Sequence, residues 1–210
     1  MSLATTFTDV ANLALKSLGA VSIQSLDAND THSQRINGVI DEVVRQVQNE
    51  ISWPELLNVQ LLVRLPDSFA DTASVLRYQL PEDFLSAVEI LGTEIYWEIF
   101  DGALLTTALD PRLIYKSYNP DVTKWSPEMT EMIYKKLASE IAMPTTQDLN
   151  LSGMSMQKFE MCRDRLLPQM KNRSRKKAET LRRFSYLSVR SYTRNDNFGE
   201  RPIVLEADNE

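Results

Sequence analysis

Apolar residues in the first quarter of the chain recur at helical spacing. Val10, Leu13, Ala14 and Leu18 fall on one face and predict a helix over about residues 6–18, with Gly19 placed as its left-handed C-terminal cap. The stretch SIQSLDANDT is polar and turn-rich, and it offers Asp30 or Thr31 as N-cap of a second helix. Ile36, Val39, Ile40, Val43, Val47 and Ile51 form a stripe that carries this helix to about Ser52. Gly38 lies within it and lowers local propensity by about 1 kcal/mol relative to alanine, so a close helix contact is expected there.

After Trp53 and Pro54 the period changes from helical to alternating. VQLLVRL places Val59, Leu61, Val63 and Leu65 on one face, VLRYQL alternates similarly, and EIYWEI brings Ile95, Trp97 and Ile99 together. FDGA, at 100–103, is a hairpin signal, because a type I′ turn needs positive φ at both central residues. RLIYKSY completes the region, and residues 57–118 are read as one antiparallel sheet inserted between helices.

The helical period returns at SPEMTEMIYKKLASEIA, with Ser126 as N-cap, Pro127 at the first helical position and acidic residues in the first turn. Met129, Met132, Ile133, Leu137 and Ile141 are its apolar stripe, and Pro144 is expected to end it. A fourth helix from about Ser152 carries Met156, Phe159, Cys162, Leu166 and Met170. Pro168 removes a backbone hydrogen bond at a cost of about 3 kcal/mol, so a kink or break is expected there. Beyond it only Ala178, Leu181 and Phe184 are apolar at helical spacing, a face too thin for a helix packed into its own core. The stretch SYTRNDNFGERPIVLEADNE lacks a clear period and is expected to stay flexible until a partner orders it.

The fold class is therefore α+β: a helical bundle (1–56 and 119–185) interrupted by an antiparallel β-rich module (57–118), with a long basic C-terminal helix and a flexible docking tail (186–210). Of the 210 residues, 43% are hydrophobic and 25% charged, as in an ordinary globular protein. The longest apolar runs are far short of the ~20 residues that cross a bilayer, and MSLATTFTDV lacks the pattern of a secretory signal. The single cysteine, Cys162, cannot form an internal disulfide and suits a reducing compartment.

Charge changes this picture. The chain carries a formal net charge of -6, yet residues 1–162 hold 11 Lys+Arg against 22 Asp+Glu, residues 163–194 hold 11 against 2, and residues 195–210 hold 1 against 5. An acidic body with a basic helix points to charged partners, copies of the same chain included.

The sequence holds no P-loop, GxGxxG, HExxH, CxxC or GxSxG pattern. The only histidine, His32, lies in a polar helix start and reads as a solvated or capping residue, and Cys162 reads as a buried structural thiol. DANDTH resembles the start of a calcium loop, but His32 replaces the glycine at its sixth position and Gly38 the glutamate at its twelfth. Glu82 with Asp83, or Glu128 with Glu131, are read as solvated caps in preference to acid-base pairs. MSMQKFEM reads as core or interface, and Trp53, Trp97 and Trp125 as core anchors. No enzymatic activity, cofactor or metal is expected.

Several separated stretches resemble the head-to-tail adaptors of short-tailed bacteriophages, called tail tubular protein A in some phages. They are ANLALKSLGAVSIQSLDAND, a second helix ending at Trp53, LPEDFL at 80–85, the DGALLTT hairpin, the IYKSY strand and WSPEMTEMIYKKLASEIAMPTTQD at 125–148. Order and spacing agree over about residues 5–165, while the C-terminal third departs from the family pattern. The resemblance implies a non-catalytic virion protein at the head-tail junction, made in the host cytoplasm. It implies a dodecameric ring between portal protein and tail nozzle protein, extending a channel through which genomic DNA passes without specific binding.

A closed ring uses two different surfaces of each chain, which the acidic body and basic helix can supply. Arg173, Arg175, Lys176, Lys177, Arg182 and Arg183, followed by Phe184, Tyr192, Phe198, Ile203 and Val204, are the expected subunit or portal interface. The rival reading is a nucleic-acid-binding regulator that lays the basic run 171–183 along phosphates, against the repulsion of a body at -11.

Overall fold

The structure, a computed structural model, describes residues 4–66, 75–92 and 95–195, the last twelve by backbone alone. It is mixed α and β. In chain order the elements are α1 (Phe7–Ser17), α2 (Thr31–Asn37), α3 (Ile40–Glu50), β1 (Leu57–Leu61), β2 (Leu76–Gln79), β3 (Phe84–Ile90), β4 (Trp97–Phe100), β5 (Ala103–Thr106), β6 (Arg112–Ser117), α4 (Pro127–Thr146) and α5 (Leu149–Asn195).

Local chemistry sets the ends of α1. The Thr6 hydroxyl accepts from the Asp9 amide at 3.1 Å, and the Asp9 carboxylate accepts in return from the amides of Thr5 and Thr6. Those bonds, the Thr5 amide first, hold the Asp9 carboxyl below its ordinary value. At the other end Gly19 has φ 72°, Gly19 N–H donates to Lys16 and Ala20 N–H to Leu15, which is a Schellman closure.

The helix read as continuous from about residue 31 to 52 is two helices. It breaks at Gly38 and Val39, where α2 ends and α3 begins. Gly38 is exposed and makes no close helix contact, since an added Cβ would meet only carbonyls of its own turn at 3.6 Å. Its low helix propensity is used to change direction. Asp30 is the N-cap of α2, accepting from the amides of His32 and Ser33 at 2.9 Å each.

All the strands described lie within residues 57–118, but they form two three-stranded antiparallel sheets where one was expected. The first has the order β1-β6-β3 and the second β2-β5-β4. Leu62, Tyr78, Ile90, Leu104, Leu113 and Tyr115 make a small core for this part of the chain. The β4–β5 hairpin turns at Asp101 (φ 48°) and Gly102 (φ 67°), the two positive-φ positions that FDGA predicts. The face expected of VQLLVRL is not observed: Leu57 and Leu62 are buried, whereas Leu61 and Val63 are 52% and 67% exposed. β1 ends at Leu61, and three consecutive apolar residues, Leu61 to Val63, left its parity undecided by pattern. Similarly Ile95 and Trp97 pack on the small core while Ile99 stays 43% exposed.

One large apolar cluster joins α1, α2, α3, α4 and the first half of α5, with Trp53 and Trp125 in it. In α4, Met129, Met132, Ile133, Leu137 and Ile141 are buried as the stripe predicts, and the Ser126 hydroxyl caps the Met129 amide. Pro144 does not end α4. The helix runs to Thr146 and closes on Gln147 in the left-handed region (φ 54°). A proline in the last turn deprives only one carbonyl, that of Glu140, and Glu140 lies near solvent.

Gln48, 0% exposed, fixes how the strands return to the helices. Its Nε2 donates to the Asn119 carbonyl at 2.7 Å and its Oε1 accepts from the Asn119 amide at 3.0 Å, while Trp125 Nε1 donates to the same carbonyl. Gln48→Leu keeps the volume and leaves the Asn119 amide without its acceptor, so an expected loss of about 1–3 kcal/mol is read from the urea unfolding midpoint.

Two tyrosines at the end of β6 reach carboxylates of other elements. Tyr115 donates to Asp83 at 3.0 Å, and Tyr118 donates to Asp41 while Arg45 lies 3.8 Å from its ring centre. Burial first, then the carboxylate, pushes both phenols up to about 12. The folded state thus favours the neutral phenol, so this contribution is whole below the unfolded value of 10.0 and fades as pH rises toward about 12. In an absorbance titration at native temperature, two of the seven tyrosines are expected to ionise last, and Tyr115→Phe and Tyr118→Phe each to remove one.

Candidate interaction surface

Helix α5 starts from Asp148, whose carboxylate accepts from the amides of Asn150 and Leu151. Its buried residues are Ser155, Phe159, Cys162, Leu166, Met170, Ser174 and Ala178. From Cys162 onward they are spaced by four, and each such step overshoots a turn by ~40°. The buried line therefore winds around the helix, from the helical cluster to the first sheet. Met156, expected on this stripe, is 42% exposed.

The helix runs through Pro168 without a break. Pro168 and Asp164, whose carbonyl loses its usual donor, are both exposed, so water can hydrate that carbonyl, and a proline on the outer face suits a helix bent around its core.

The thin apolar face beyond Pro168 has a partner in its own chain. Ala178 packs with Leu57 of β1 and Ile114 of β6, and Leu181, Val59 and Leu91 border the same cluster. Ser174 donates to the Ser52 carbonyl, and Arg182 grips both carboxylate oxygens of Glu89 on β3. The stretch expected to wait for another chain is docked on the first sheet through Arg182.

Basic residues of α5 divide accordingly. Arg173 pairs with Glu128 on α4 at 3.4 Å, and Arg183 with Glu179 one turn earlier at 2.7 Å. Arg165 pairs with Glu131 at 2.6 Å, and Lys135 meets the same carboxylate. Burial raises the Glu131 carboxyl, but hydrogen bonds from Lys135 and Arg165 outweigh it and hold the group below its ordinary value. By contrast Lys171, Arg175, Lys176 and Lys177 are exposed and make no ion pair among the described residues. Of the expected interface, Arg175, Lys176 and Lys177 remain on the surface, whereas Arg173, Arg182 and Arg183 hold carboxylates of the same chain. Phe184 and Tyr192 lie on the α5 backbone with side chains outside the described residues, as Phe198, Ile203, Val204 and the tail as a whole do.

The other candidate groups have structural partners. Glu128 and Glu131 belong to two different ion pairs, and Asp83 accepts from Tyr115. The Asp30 carboxylate is spent on capping α2, and among the described residues no cluster of three or more His, Cys, Asp or Glu is spaced to hold a metal ion. His32 sits at the start of α2 with its Nδ1 buried and unbonded, so it receives a cap without giving one. Burial pushes the Cys162 thiol up. In MSMQKFEM the roles split: Phe159 is core, while Met154 and Met161 are solvent-facing at 53% and 66%. No helix among the described residues is long and apolar enough to cross a membrane.

Set against known proteins, the chain matches no family model and no curated sequence.

Arg182→Glu places two carboxylates together and should undock α5 from the first sheet. Arg182→Ala is expected to lose at most about 1 kcal/mol, because the pair is partly exposed. Arg182→Glu should lose more, and adding Glu89→Arg should restore most of the loss. Arg175→Glu, Lys176→Glu and Lys177→Glu together should stay within about 0.5 kcal/mol of the parent in the same urea series.

Proposed function

We propose that this chain is a structural adaptor subunit of the head-to-tail class, a ring component that joins a portal protein to a tail nozzle protein and extends the DNA channel. In this reading the helices around the large cluster are the adaptor's bundle, the two sheets its β-rich module, and α5 its long C-terminal helix. The sequence stretches that resemble that family support it, and so does one feature of the geometry. Lys171, Arg175, Lys176 and Lys177 are exposed on α5 and make no ion pair among the described residues, while residues 1–162 carry net -11. Two surfaces of opposite charge on one chain suit the head-to-tail contact that a closed ring repeats. The ring number of twelve comes from the resemblance alone, and DNA in such a channel passes an acidic wall with weak contact.

The same four cations suit the second reading, a regulator gripping nucleic acid along phosphates. A gel-shift series in salt separates the two. A regulator binds duplex tightly at physiological salt, and an adaptor does not.

The direct test is the mass of the purified chain alone and mixed with its portal. A larger, defined assembly is expected with portal, and the triple variant Arg175→Glu, Lys176→Glu, Lys177→Glu should abolish ring formation or portal binding with the fold intact. Unchanged assembly in that variant would sink the proposed use of these residues.

A further inference from the structure

Among the described residues the second sheet ends in an open edge. In the order β2-β5-β4, β2 is covered on its outer side, where Leu65 N–H donates to Arg77 and Gln79 N–H to Val63, whereas β4 pairs only with β5 among the described residues. Because Phe100 and Ala103 flank a two-residue turn, they exchange the inner hydrogen bonds, and so do Glu98 and Leu105. The backbone groups of Trp97 and Ile99 therefore point outward, two donors and two acceptors in a row. Their side chains lie on the core face beside Thr106 and Leu104, yet Ile99 is 43% exposed where the core ends. Tyr96 and Phe100 add apolar surface at 54% and 66%. A free edge with an unfinished core beside it is the geometry that takes up an extended apolar strand.

We infer that β4 receives the segment Pro202–Leu205 of a second copy of this chain as a fourth strand of the second sheet. Within residues 196–210 the run of consecutive apolar side chains is Ile203, Val204 and Leu205, so alternate residues can complete the core over Ile99 while the backbone meets Trp97 and Ile99. Chain length favours a second copy over the same one. Beyond Arg183, α5 continues for twelve residues, a rise of ~18 Å, and the six residues 196–201 span at most ~20 Å. The tail therefore starts ~18 Å beyond the place where Arg182 holds α5 to its own first sheet, which sets it out toward a neighbouring copy. The contact is heterologous, tail to edge, and repeats from copy to copy. It deepens the ring reading by placing one of its interfaces, and it rests on that reading only for closure.

The test uses two full-fold variants that each lack one half of the contact. A chain ending at Arg201 keeps the edge, and Ile99→Pro keeps the tail while removing an outward donor that β5 does not use. Ile99→Lys serves as a second edge variant should proline disturb the fold, checked by circular dichroism. Sedimentation over a concentration series into the millimolar range should give assemblies for the parent, monomers for each variant alone, and one-to-one heterodimers when truncated and edge-blocked chains are mixed. The inference is overturned if the parent is monomeric throughout, if truncation leaves the assemblies unchanged, or if the mixture stays monomeric. It is overturned equally if amide exchange shows Trp97 and Ile99 protected by the tail within a monomer. Portal binding is measured separately, so loss of strand exchange with portal binding retained rejects this contact and leaves the adaptor reading standing.

Discussion

The buried line along α5 is the contact on which the arrangement of the whole chain depends. Its first half, from Phe159 to Met170, completes the apolar cluster of the helices, Ser174 meets the Ser52 carbonyl between α3 and β1, and the stretch from Ala178 to Arg182 lies against the first sheet. Four-residue spacing makes the line wind, so one continuous element can serve two surfaces that face it from different directions. Neither half is wide. The sheet-side contact consists of Ala178 and Leu181 with a carboxylate-held arginine, which gives modest burial and a directional polar lock.

Polar groups then set the geometry that burial alone leaves loose. Gln48 holds the backbone of Asn119, Asn12 holds that of Ile23 through two bonds, and Lys116 donates to the Asn49 carbonyl. Each clamps a loop or strand end to a helix, where apolar packing has no preferred register. Burial lowers the Lys116 ammonium, but its contact with a helix-end carbonyl is the kind a cation makes well. These clamps leave the charges of α5 in two sets. Arginines next to the body are tied to Glu89, Glu128 and Glu131, and the lysines with Arg175 face water.

How legible the sequence was differs by element for physical reasons. Gly19, Ser126 with Pro127, and Asp101 with Gly102 are local devices whose chemistry is complete within a few residues, and each was readable where it stands, whereas the Thr6 cap of α1 was not read from the sequence. β1 was not, because Leu61, Leu62 and Val63 are all apolar and only the neighbouring layers decide which of them turns inward. Pro144 and Pro168 were expected to stop or bend helices, yet both lie where the bereft carbonyl can meet water. β3 carries register shifts between Phe84 and Ser86 and between Ala87 and Glu89, so its alternation is broken in the sequence as well. For the candidate surface, the basic run was plain in the composition, but the division of its members was not.

The sequence by itself determined the α and β segments, most of their caps, the hairpin turn and the segregation of charge, since all of these depend on residues near one another. Tertiary structure alone decided that the strands form two sheets and that α2 and α3 diverge at Gly38. It also decided that Ala178, Leu181 and Arg182 serve the chain's own first sheet, Ala178 through partners 64 and 121 positions away in sequence and Arg182 through one 93 away. Spacing along a chain fixes which residues share a face, but only packing fixes what that face meets.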